Sequence, residues 1–283
     1  MDHPEDGFAR NSVELGQGRI HYREAGEGKP LLFVHGWGVN GSLWEGVARR
    51  LADGHRCIVP DLPFGSHREA LAPDADLSPP GAARMIAELI EALGLDRPTV
   101  VANDSGGAVS QILVTEHRGI VGRLVLTNCD SLEVFPPGIF KLYVKAARIP
   151  GFMSMLANSL RFRANQRSPL AYGSLTKGKI EAELLDSWVR PVLEDKGVRR
   201  DSGKFAAGMD PRHTLEAAEK LPQLEIPVLL AWGEDDRYFK LELAERLAKL
   251  IPDSRLVRIP DAVTFVMLDQ PDRLASEIAE FVG

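Results

Sequence analysis

Hydrophobic and polar positions follow two alternating periods along most of the chain. Short apolar runs rich in β-branched residues read as buried strands: Leu31-Leu32-Phe33-Val34, Arg56-Cys57-Ile58-Val59-Pro60, Pro98-Thr99-Val100-Val101-Ala102, Leu124-Val125-Leu126-Thr127, Pro227-Val228-Leu229-Leu230-Ala231-Trp232 and Arg255-Leu256-Val257-Arg258-Ile259. Between them lie segments with apolar residues at helical spacing. One runs to about Ala52 from the capping-type start Ser42-Leu43-Trp44-Glu45; others cover 80–94, the residues after Ser105, 241–250 and 270–282. Two more short strands, 12–15 and 19–23, flank Gly16-Gln17-Gly18 as a hairpin. Strands that alternate with helices imply right-handed crossovers and a mostly parallel sheet covered on both faces. The rhythm breaks from 131 to 222. No buried strand is visible there, and IEAELLDSWVRPVLED and HTLEAAEKL carry helical spacing. The pattern predicts an α/β core from 1–130 and 223–283, interrupted by an all-helical cap over 131–222.

Composition narrows this little but excludes some roles. A chain of 283 residues, 44% hydrophobic and 26% charged, suits one large α/β domain with an insertion. The net charge of -6 argues against nucleic-acid or anionic-membrane partners. The two cysteines, Cys57 and Cys129, sit in apolar strand-like runs and read as reduced core thiols, in keeping with a cytoplasmic protein. The opening stretch MDHPEDGFAR lacks the apolar segment of a secretory signal, and no apolar run approaches membrane-spanning length. A small-molecule partner is the remaining expectation.

The stretch with the most chemistry is Ala102-Asn103-Asp104-Ser105-Gly106-Gly107, at a strand-turn-helix junction. In a nucleophile elbow the residues two before and two after the tip must be small, because strand and helix crowd behind it. Ala102 and Gly106 meet that requirement around Asp104. A register with Ser105 at the tip would put the bulkier Asn103 in the first of those positions. A plain helix N-cap is the other reading of Asp104.

Three more landmarks stand in register with this one: His35-Gly36-Trp37-Gly38 after a strand, Asp61-Leu62-Pro63-Phe64-Gly65-Ser66, and Trp232-Gly233-Glu234-Asp235-Asp236. Together they resemble the α/β-hydrolase superfamily over nearly the full chain, in its HGxP-type oxyanion loop, DLPGxGxS turn, G-x-S-x-G-G elbow and WGxxD acid loop. The resemblance implies an eight-stranded, mostly parallel sheet with helices on both faces and a helical cap. An aspartate at the elbow resembles the haloalkane dehalogenase, fluoroacetate dehalogenase and epoxide hydrolase branches. It implies Asp104 as nucleophile, Asp236 as acid, and the backbone N–H groups of Trp37 and Ser105 as an oxyanion-type donor pair. Dehalogenases carry a halide-binding tryptophan directly after the nucleophile, where this chain has Ser105.

The chain departs from these relatives at the base. Their last loop resembles IPGAGHFVMLEQP; here it reads Ile259-Pro260-Asp261-Ala262-Val263-Thr264-Phe265-Val266-Met267-Leu268-Asp269-Gln270-Pro271, with Thr264 in the histidine position and no histidine beyond 213. Threonine is no base near neutral pH, and general-base help is worth about 10²–10⁴ in rate. His67, in the turn after the fourth strand, is the best-placed substitute. His35 in the oxyanion loop has a structural hydrogen bond as its other reading, and His213 sits at the start of a cap helix. Asp236, without a histidine, is free to bond Thr264, pair with Arg237 or act on substrate. Asn128 or Asp130, after the strand that follows the elbow helix, faces either the pocket or the loop leading into the cap. Epoxide hydrolases use cap tyrosines on the opening oxygen, a role open to Tyr143 and Tyr172, for which packing is the alternative. Apolar cap residues such as Phe140, Met153, Leu156 and Trp188 imply an apolar pocket wall and an apolar small substrate. The expectation is a cofactor-free enzyme of hydrolase fold with Asp104 as central carboxylate and no metal. The alternatives are a lyase, isomerase or cyclase using Asp104 as general acid/base, and a catalytically silent binding protein.

Overall fold

A computed structural model describes residues 7–283. Most of the N-terminal stretch on which the missing secretory signal rests, residues 1–6, lies outside the described residues. The eight strands are β1 Ala9–Leu15, β2 Gly18–Ala25, β3 Lys29–Val34, β4 His55–Pro60, β5 Thr99–Asp104, β6 Arg123–Cys129, β7 Val228–Gly233 and β8 Ser254–Ile259. They form one sheet in the order β1-β2-β4-β3-β5-β6-β7-β8. β2 runs antiparallel to both its neighbours, and every other pairing is parallel. The helices are α1 Glu45–Leu51, α2 Pro79–Ala92, α3 Ser105–Glu116, α4 Phe140–Ala147, α5 Phe152–Ser159, α6 Arg163–Gln166, α7 Ala182–Glu194, α8 Lys196–Gly208, α9 Pro211–Lys220, α10 Leu241–Leu250, α11 Val266–Asp269 and α12 Pro271–Val282.

Successive side chains on a strand point to opposite faces, so each central strand feeds two cores. Leu32, Val34, Val100, Leu124 and Leu230 pack under α2, α3 and α10. Leu31, Phe33, Val101, Val125 and Leu229 pack under α1 and α12. That is why the central strands read as unbroken apolar runs rather than alternating ones. At one edge β8 turns Arg255 and Arg258 outward, where charge discourages pairing with another sheet.

The strands fall where the apolar runs predict, with ends that differ by at most three residues. One local expectation is corrected, and one short helix was not expected. The first helix does not start on Ser42: Asn40 is extended and its side chain accepts the Ser42 N–H, so Gly41–Trp44 forms a 3₁₀ turn leading into α1. Asn caps as well as Ser, and the apolar pattern does not tell them apart. The one-turn helix α11 is too short to show a period. Between β6 and β7 the chain carries α4 to α9 and no strand beyond an isolated Ser131–Val134 bridge. Trp188 of α7 anchors this helical insertion on the core. Its ring meets Phe265, and its indole N–H donates to Ser42 Oγ at 2.9 Å. No helix among the described residues is long and apolar enough to cross a membrane.

Candidate active site

β5 is hydrogen-bonded on both sides, to β3 and β6, and its register slips between Ala102 and Asp104 as the chain turns into α3. At that turn Asp104 has φ 52° and ψ -135°, a conformation that costs a non-glycine residue roughly 1–3 kcal/mol. The close approach behind it explains the small flanks. A Cβ on Gly106 would fall on the carbonyl oxygens of His35 and Val34, and one on Gly36 would fall on the Asp104 carboxylate. The Asp104 side chain makes no capping hydrogen bond to α3, so a helix cap does not describe it.

Asp104 lies in the wall of a cavity of about 110 Å³ between the sheet's C-terminal ends and the helical insertion. Ser105 and Asp130 line the same end, while Phe140, Met153, Leu156 and Phe239 form part of an apolar wall. No histidine, lysine or arginine lines it. Burial raises the Asp104 carboxyl to a pKa of about 7; the adjacent Ser105 N–H opposes the rise and the charge of Asp236 adds to it. Asp130 is 1% exposed, and its Oδ1 has no hydrogen-bond partner. Its backbone N–H donates to the Asp104 carbonyl at 3.3 Å. Burial first, and the neighbouring Asp104 second, push the Asp130 carboxyl well above the ordinary carboxylate range.

Behind this end lies a closed polar knot. Asp236 accepts four hydrogen bonds: Thr264 Oγ1 at 2.9 Å, Asn128 Nδ2 at 3.0 Å, Tyr238 N at 2.7 Å and Phe239 N at 3.2 Å. Burial raises its pKa, and these donors oppose the rise. Thr264 is fully buried, and its carbonyl accepts from Asn103 Nδ2 at 2.8 Å. Neither Asp236 nor Thr264 lines the cavity. The threonine hydroxyl is one of four donors that enclose the Asp236 carboxyl.

A family model for the alpha/beta hydrolase fold matches residues 29–271. The chain belongs to this family. It is similar to haloalkane dehalogenase 2 of Mycobacterium tuberculosis, 28% identical over 292 residues that cover 98% of this chain and 96% of the relative. It is also similar to a 2-hydroxy-6-oxo-6-phenylhexa-2,4-dienoate hydrolase of Burkholderia cepacia, 25% identical, covering 88% and 86% of the two chains. Among solved structures, the haloalkane dehalogenase DbeA of Bradyrhizobium elkani superposes with a TM-score of 0.81 at 18% identity, covering 97% of each chain.

Within this alpha/beta hydrolase frame, several sequence-based expectations meet a different geometry. Trp37 and Ser105 both line the cavity, and Trp37 N–H donates to Ser105 Oγ at 2.8 Å, so one of the two expected backbone donors is already engaged. Asn128 does not face the cavity: its amide group also bonds both polar backbone atoms of Gly233, which ties β6 to β7. His35 is wholly buried, with Nδ1 bonded to the Gly36 carbonyl at 2.8 Å and Nε2 accepting the Leu62 N–H at 2.9 Å. Burial lowers its pKa to about 4, so it is a neutral strut between loops rather than a substrate contact. His67 is buried against Asp201 of α8, Nε2 to Oδ2 3.3 Å, and does not reach the cavity. Tyr143 and Tyr172 do line it, but their hydroxyls donate to the carbonyls of Leu170 at 3.0 Å and Gly38 at 2.6 Å. Tyr238 is a lining residue that sequence reasoning missed, and its position two residues past Asp236 was the available signal. Among the described residues no cluster of histidine, cysteine, aspartate or glutamate could hold a metal ion.

Proposed function

We propose that the chain is an enzyme acting on an apolar small molecule, with Asp104 as its central carboxylate. In this reading residues 131–222 form a cap over a core built from 1–130 and 223–283, and the substrate is held between them. The observation that carries it is the strained Asp104 at the end of an apolar cavity that contains no cationic side chain. Such strain persists where the fold over-determines a reactive position. An ionised carboxylate attacks saturated carbon without a partner base, expelling halide or opening an epoxide, and becomes an alkyl ester. Similarity to a haloalkane dehalogenase supports that first half-reaction.

The test is intact-mass spectrometry after incubation with bromohexane, styrene oxide or phenyl acetate. An adduct that maps to Asp104 and disappears in Asp104→Asn is the expected result. Turnover that survives unchanged in Asp104→Asn would overturn the reading. The nearness of Asp130 favours a second reading, in which the two acids move a proton and no ester forms. Turnover that depends on Asp104 but never yields an adduct would select it.

A further inference from the structure

We propose that Asp130 supplies the proton transfers that the absent imidazole would otherwise make, acting as acid in the first half-reaction and as base in the second. This rests on the reading of Asp104 as nucleophile. Every other ionisable group lining the cavity is a tyrosine whose hydroxyl is already engaged: Tyr143 with Leu170, Tyr172 with Gly38, and Tyr238 with Ser174 Oγ at 2.8 Å. His35 and His67 are tied up outside it. Asp130 alone combines a place in the cavity wall with a buried carboxyl oxygen that has no partner. Its main chain is held from both sides, by its N–H on the Asp104 carbonyl and by Gln111 Nε2 on its own carbonyl at 2.9 Å. The flanking Cys129 thiol is buried and its pKa is pushed up, so it stays neutral.

Two carboxyls buried in one cavity wall, each held by main-chain contact to the other's residue, do not both ionise, so the resting pair holds one proton, on Asp130 when Asp104 is the carboxylate. An Asp104 oxygen forms a bond to the substrate carbon, and the carbon–halogen or epoxide carbon–oxygen bond breaks with its electron pair. From an epoxide, the departing oxygen takes the Asp130 proton; with a halide, that proton leaves to water. Asp104 is now a neutral ester, so the like charge that added to burial in holding the proton on Asp130 is gone, and Asp130, its proton given up, faces the ester as a carboxylate. It removes a proton from a water whose oxygen adds to the ester carbonyl. The tetrahedral intermediate collapses, the alkoxide takes that proton back, and the pair again shares one proton. The sum is alkyl halide plus water to alcohol, halide and a proton, or epoxide plus water to diol.

The test compares the whole protein with Asp130→Asn, using bromohexane and styrene oxide and following product release and intact mass together. Asp130→Asn with bromohexane is expected to give one equivalent of bromide at close to the unaltered rate, then stall as an Asp104 ester. Hydrolysis of that ester should slow by about 10²-fold or more, the lower end of what a general base contributes. With styrene oxide the first step should slow as well. A merely structural role for Asp130 would slow both first steps alike, so that result overturns the proposal. So does Asp130→Asn that turns over bromohexane as fast as the unaltered protein. If no adduct forms on Asp104 in either protein, the nucleophile reading falls first and this one with it.

Discussion

Replacing Asp104 by Asn should stabilise the fold, and by an amount that depends on pH. The folded carboxyl has a pKa of about 7, with burial as the largest cause, against about 3.9 for an unperturbed aspartate. A group whose folded pKa is raised favours the folded state fully below its unfolded pKa and loses that contribution as pH rises through the folded value. Unaltered protein should therefore lose stability between pH 4 and pH 7, while the amide, which does not titrate, should not share that loss. At about 1.4 kcal/mol per pKa unit, the gap between variant and parent should open from near zero at pH 4 to roughly 4 kcal/mol above pH 7. Asp130 and Asp236 also have raised pKa values and remain in the variant, so its own curve still slopes. The slope contributed by Asp130 should be shallower, because Asp104 is one of the two causes of its shift. Urea unfolding followed by circular dichroism at half-unit pH steps reads the gap directly. Parallel curves from pH 4 to 8, or a variant less stable than its parent at pH 8, would refute the reasoning.

Other perturbations report on the frame around the site. Thr264→Val removes one of four donors to a buried carboxylate, and should cost about 1.5–3 kcal/mol at neutral pH by urea unfolding. Because Thr264 does not line the cavity, the rate at which Asp104 forms an adduct should hold to within a few-fold. Gly106→Ala drives a methyl group into the His35 and Val34 carbonyls and should destabilise by about 1–3 kcal/mol or more; an unchanged urea midpoint would contradict the elbow's crowding. Tyr172→Phe deletes the insertion-to-core bond onto Gly38. It should lower stability by about 0.5–1.5 kcal/mol, and faster amide exchange across 36–40 should accompany the loss.

How much of this the sequence discloses depends on whether a feature is written in periodicity or in three-dimensional neighbourhood. The β3, β5 and β7 runs are legible because strands buried on both faces cannot hide their apolar character. The small residues around Asp104 are legible too, because a strained turn leaves no room for larger ones. That the last loop carries Thr264 and no histidine is visible as a single letter. What that threonine does is not: its bond to Asp236 needs the acid loop and the last loop brought together across β7 and β8. The same limit explains Asn128 and Asp130, two positions apart. The pattern leaves both free to face the pocket; the fold ties Asn128 to Gly233 and leaves Asp130 in the cavity wall. His67 looks available from its place in a polar turn, and only the packing of α8 shows Asp201 holding it.

The measurement that bears most directly on Asp104 is a single turnover of bromohexane in heavy-oxygen water, followed by mass spectrometry of the peptide spanning the elbow. If Asp104 forms an ester and water attacks its carbonyl, the heavy oxygen enters the Asp104 carboxyl and the hexanol carries the ordinary isotope. Label found only in the alcohol, with none in the elbow peptide, would mean that water attacks the substrate directly. Asp104 would then not be the nucleophile.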